Sequence, residues 1–98
     1  MKPEPPECLS DGEAMEWRAI VERMPADFFP RECHAVLVQY CRHVEEAERL
    51  QVLIRAMQQE PDFDLPNYQK VLGMRAKESV TIAQLAKTLK IDDSRNVW

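Results

Sequence analysis

Glycine is nearly absent from this chain, which has two in 98 residues, at positions 12 and 73. Aromatic residues make up 7% of it. A fold of many short strands needs frequent tight turns, so this scarcity argues against an all-β architecture. There is no run of eighteen apolar residues, and therefore no expected membrane span. Neither G-x-x-x-x-G-K-[ST] nor G-x-G-x-x-G occurs, so no phosphate-cradling loop is legible. The G-x-S-x-G elbow of serine hydrolases is missing too. With two histidines and scattered carboxylates, no catalytic set is apparent. The chain is expected not to be an enzyme and to need no cofactor.

The opening "MKPEPPECLS" lacks the apolar stretch of a secretory signal and reads as a flexible leader over residues 1–9. Three cysteines, an odd number, then suggest reduced thiols and a cytoplasmic location.

What is present is helical. "SDGEAMEWRAIVERM" carries a capping box, Ser10 with Glu13. Trp17, Ile20, Val21 and Met24 follow on one face, and Pro25 ends the segment. The spacing predicts a helix over about 11–24. "PADFFP" is a link whose two phenylalanines are expected to plug a core rather than stack on bases.

A second helix is expected over about 30–59, roughly 45 Å long at 1.5 Å per residue. Its first half presents Cys33, Val36, Leu37, Tyr40, Val44 and Ala47. Its second half presents Leu50, Leu53, Ile54 and Met57 on a face turned by about 110°, more than the drift of a straight helix. One partner helix does not easily cover both faces. This favours a second contact, most cheaply from another subunit; the alternatives are a bend, or the first helix packing over the far end. A third helix is expected over about 66–90. Its apolar stripe is Tyr68, Val71, Leu72, Ile82, Ala83, Ala86 and Leu89, with Lys70, Lys77, Thr81, Gln84 and Thr88 opposite. Gly73 inside it suggests a kink or a close helix contact. Residues 91–98 read as a tail, with Trp98 expected to dock.

The second helix also holds Cys33, His34, Cys41 and His43. Zinc needs donors about 2.0–2.3 Å from one point, and helical pairs achieve this at i, i+4. No pair here has that spacing. His34 and His43 point to opposite sides, and Cys41 lies two turns from Cys33. No metal site is expected.

The net charge of −4 is unevenly spread. Residues 1–65 have seven Lys/Arg and fourteen Asp/Glu, whereas residues 66–98 have six and three. An acidic front and a basic back could make neighbouring copies attract. The basic part is also the only segment suited to face phosphates, so Lys70, Arg75, Lys77, Lys87, Lys90 and Arg95 are the candidate DNA-binding residues. Tyr40, Val44, Leu50, Leu53, Ile54 and Met57 are the candidates for the helix-hairpin or oligomer interface. "VTIAQLAKTLKIDDS" resembles the opening of a helix-turn-helix. Only "RNVW" follows it, so a complete motif is not expected there.

Taken in order, "EWRAIVERMP", "FFPRECHAVLVQYCRHVEEAERL" and "NYQKVLGMRAKESVTIAQLAKTLKI" resemble the phage terminase small subunit family. The likeness spans most of residues 14–95 and is one of order and spacing. This chain has "DLPN" where many members carry a Gly-containing link followed by Asn-Pro. Many members also have longer or more basic termini. The resemblance implies an all-α protein with a short N-terminal helix and a long antiparallel helical hairpin, assembling into an oligomeric ring. It further implies a non-enzymatic packaging adaptor in the bacterial host cytoplasm. That adaptor recognises double-stranded viral DNA and presents it to the large terminase subunit, which holds the ATPase and nuclease. The alternative is a small dimeric helical transcriptional regulator or protein-interaction module. The two differ in solution mass.

Overall fold

The computed structural model describes residues 2–91. Within them there are three α-helices and no strand: α1 (Asp11–Arg23), α2 (His34–Gln58) and α3 (Leu65–Leu89). A single 3-10 turn, Arg31–Cys33, leads into α2.

Local chemistry explains each boundary. The Ser10 side chain accepts from the Glu13 amide, and the Glu13 carboxylate accepts from the Ser10 amide. Together they satisfy two amides that a helix start leaves open. Pro25 cannot continue α1, which ends at a Met24 cap in extended conformation. Pro30 starts the 3-10 turn rather than α2 itself, so the second helix begins four residues later than its sequence pattern suggests. Asp64 caps α3 by accepting from the Asn67 amide. The far end of α3 closes with Lys90 in the left-handed region, at φ 61°. There the Ile91 amide donates to the Ala86 carbonyl and the Lys90 amide to the Lys87 carbonyl. Ile91 and Ala86 are both buried, which supplies the apolar clasp of a Schellman ending.

The helices α2 and α3 lie side by side in opposite directions. His43 of α2 meets Glu78 of α3, Gln51 meets Arg75, and Gln58 meets Tyr68. Partners climb α2 as they descend α3. Helix α1 runs antiparallel to the first half of α2: Gly12 lies against Glu45, while Trp17 lies against His34.

This arrangement accounts for the turned apolar face of α2. Its first half is shared between α1 on one side and α3 on the other, so the buried stripe of Leu37, Tyr40, Cys41, Val44 and Ala47 falls between them. Beyond Glu48, α1 has ended and only α3 remains. There the buried set is Leu50 and Ile54 against Val71. The main core is thus built by all three helices around Trp17, and the distal one by two helices alone.

Trp17 is fully buried, and its ring meets His34 edge-on at 5.5 Å between centroids. Its Nε1 donates to the Pro3 carbonyl at 3.1 Å. Lys2 Nζ also donates to the Glu22 carbonyl, at 2.8 Å. The leader, read from sequence as flexible, therefore lies along α1. Phe29 is buried and Phe28 half-buried, their rings in T-shaped contact at 4.9 Å.

Two residues assigned to apolar stripes are exposed instead. Leu53 is 46% exposed, because it lies on the side of α2 turned away from α3. Ala83 sits past the edge of the α3 contact. Gly73 marks no close approach, since a β-carbon there would meet nothing within 4 Å. The principal extents of the molecule are 52 × 24 × 19 Å.

Candidate interaction surfaces

The histidines and cysteines of α2 and of the 3-10 turn before it are each committed to separate packing. His34 Nε2 donates to the Phe29 carbonyl at 3.1 Å. His43 Nδ1 and the Glu78 carboxylate pair across α2 and α3, both partly shielded from solvent. Cys41 is buried in the core and Cys33 half-buried beside it, while Cys8 is exposed. Among the described residues, no cluster of histidine, cysteine, aspartate or glutamate could hold a metal ion. No described helix is long and apolar enough to cross a membrane.

The outer surface of α3 is where the candidate DNA residues fall. Between residues 65 and 90 the only acid is Glu78, and it is turned inward to His43. The outward charges are therefore all positive. Lys70 and Lys77 are exposed and two turns apart, about 10 Å along the axis on nearly the same side. Thr81, Gln84 and Thr88 extend that strip. The Thr88 hydroxyl donates to the Gln84 carbonyl, at 3.0 Å, so it faces outward mainly as an acceptor.

Lys87 is exposed about 80° around the helix from Lys77. Lys90, also exposed, belongs to the helix ending. Arg75 differs from these. It is half-buried between the helices, and its Nη1 donates to Gln51 Oε1 at 2.9 Å. Arg95 lies outside the described residues, as does Trp98.

Of the six interface candidates, Tyr40, Val44, Leu50 and Ile54 are buried within this chain, and Met57 is half-buried among them. They hold the helices of one copy together. Leu53 alone presents a largely open apolar side chain.

Among the described residues, Met15, Val52, Phe63, Leu65, Met74 and Val80 are further exposed apolar residues that carry no signal in the sequence stripes, and three of them stand out. Met15 and Val52 are each 67% exposed, and Val80 is 58% exposed. Met15 belongs to a groove between α1 and α2 that Ala19, Glu16, Glu45 and Glu48 also line. Val52 lies one turn beyond Glu48 on the same side of α2. Val80 sits with Ala76, Lys77 and Thr81 on the outer side of α3. By helical spacing these residues simply fall off the core face, which is how they were missed. Their exposure marks them only once the helices are docked.

No family model matches this chain, and neither a curated protein nor a solved structure does. The surfaces of the chain itself therefore carry the functional argument.

Proposed function

We propose that the chain is a non-enzymatic DNA-packaging adaptor of the terminase small subunit type. In this reading it assembles into a ring, binds double-stranded DNA and hands it to a large terminase subunit. The observation that carries the reading is the outer strip of α3. Lys70 and Lys77 are displayed there with Thr81, Gln84 and Thr88, and no carboxylate interrupts them. Cations and hydroxyls on a rigid helix suit phosphate contacts, which position a protein on a duplex without reading its bases.

One copy offers few such contacts, and the chain is acidic overall. Several copies with their α3 strips aligned would multiply them. The long, thin shape supports assembly, because an elongated helix pair has much surface for its small core.

The test is binding of a fluorescent duplex by the assembled protein across a salt series. Binding is expected to weaken steeply as salt rises. The double variant Lys70→Glu, Lys77→Glu should lower affinity at least roughly tenfold and flatten the salt dependence. Failure of the assembled wild type to bind duplex DNA at low salt would overturn the reading.

A further inference from the structure

We infer that the outer side of α1 is a docking site for a proline-rich peptide, and that the leader occupies it in cis as a displaceable strap. The partner it fits is an extended segment with spaced prolines, carried by another protein. The inference goes beyond the packaging-adaptor reading and does not depend on it.

The site is built around Trp17. Its indole Nε1 donates to the Pro3 carbonyl at 3.1 Å, and an indole N–H buried at 0% exposure needs such an acceptor. Arg18, Val21 and Glu22 line the seat beside it. At the far end, Lys2 Nζ donates to the Glu22 carbonyl at 2.8 Å, one of the carbonyls that the end of α1 leaves open.

The occupant has a recognisable chemistry. Pro3, Pro5 and Pro6 fall within residues 2–6, which form neither helix nor strand. Proline fixes φ near −65°, so such a segment is already extended and loses little entropy on docking. Pro3 and Pro6 stand three apart, the repeat of a polyproline II turn. Aromatic-lined grooves take segments of this type. The indole reads a backbone carbonyl, so a proline-rich segment from elsewhere satisfies it as well as the leader does.

The leader is seated there without being packed in. A cleft of about 260 Å³ remains between Lys2, Pro3, Glu4 and Pro5 on one side and Arg18, Val21 and Glu22 on the other. Core packing does not leave gaps of that size. The hold is light as well. Lys2 and Glu22 pair at 3.8 Å with the Glu22 side chain 83% exposed, and such pairs contribute little. The anchor lies further along, where Leu9 packs on the main core. Between them is a turn at Glu7 and Cys8, closed by the Leu9 amide donating to the Pro6 carbonyl at 3.2 Å. The strap swings about that turn.

The test uses the full chain with Lys2→Ala, Pro3→Gly, Pro5→Gly and Pro6→Gly, which loosens the strap and leaves α1 untouched. The probe is a synthetic peptide of the leader's own sequence, Lys-Pro-Glu-Pro-Pro-Glu. Its control has alanine in place of every proline. The readout is the Trp17 indole N–H signal in heteronuclear NMR, assigned by comparison with Trp98→Phe. Should the variant melt early, Lys2→Glu sets the leader against Glu22 and repeats the comparison.

In the variant the indole signal is expected to shift and to exchange faster with water. The probe should return it to the wild-type position, and the control should not. The wild type should bind the probe at least roughly tenfold more weakly than the variant, because its own leader competes at high effective concentration. The inference is overturned if the folded variant does not bind the probe, or binds the control equally well. It is equally overturned if wild type and variant bind the probe alike, or if the indole signal stays unmoved in both leader variants.

Discussion

Trp17 ties the leader, α1 and the start of α2 together. It is fully buried, touches the His34 ring and holds the leader by its Nε1. Trp17→Ala is expected to cost about 3–5 kcal/mol, enough to unfold so small a chain under mild conditions. Urea denaturation followed by circular dichroism checks this. Gly73 offers the opposite case. It sits inside α3 with open space where a β-carbon would go. Gly73→Ala should therefore stabilise the helix by about 1 kcal/mol. The melting temperature followed by circular dichroism checks this. The sequence marks Gly73 as unusual, but the close helix contact it suggests is absent within one copy. A glycine's neighbours are set by docking, and docking is not written in local spacing.

The elements differ in how firmly they are held. The first half of α2 is enclosed by α1 and α3, with Leu37, Cys41, Val44 and Ala47 at or near zero exposure. The distal half relies on Leu50, Ile54 and Val71, each worth about 1.5–3 kcal/mol on burial. Backbone amides around 50–58 and 65–73 should exchange with deuterium faster than those around 37–47 and 82–89. Uniform protection along both helices would contradict the two-core description.

The end of α3 gives a second test. Lys90 occupies the left-handed region, which costs a side-chain-bearing residue about 1–2 kcal/mol. Lys90→Gly should raise stability by part of that, about 0.5–1 kcal/mol, seen as a higher melting temperature. Helix identity and caps were legible from Ser10, Glu13, Pro25 and the apolar spacing. The start of α2 was not, because Pro30 serves equally well to open a 3-10 turn.

For the whole molecule, the radius of gyration of 15.4 Å exceeds the roughly 13 Å of a compact chain of about 100 residues. The excess is the distal half of the α2–α3 pair, which projects past α1. Since His34, His43, Cys33 and Cys41 are engaged in separate contacts around the main core, a chelator should leave the melting curve unchanged. A fall in melting temperature with chelator would mean that a metal holds the fold or its assembly.

Composition, caps and periodicity determined by themselves that this chain makes three helices, roughly where they lie, and that its positive charge gathers in the last of them. These are local properties, set by residues within a few positions of one another. Which side of each helix meets which neighbour was decided only by tertiary structure. Helix α1 covers half of α2 and stops. That leaves Val52 in solvent, while the docking of α3 on α2 leaves Leu53 outside, turns Glu78 inward to His43 and draws Arg75 between the helices. The outward faces of the molecule are what remains after that docking. They depend on the lengths of all three helices at once, and no window of the sequence contains them.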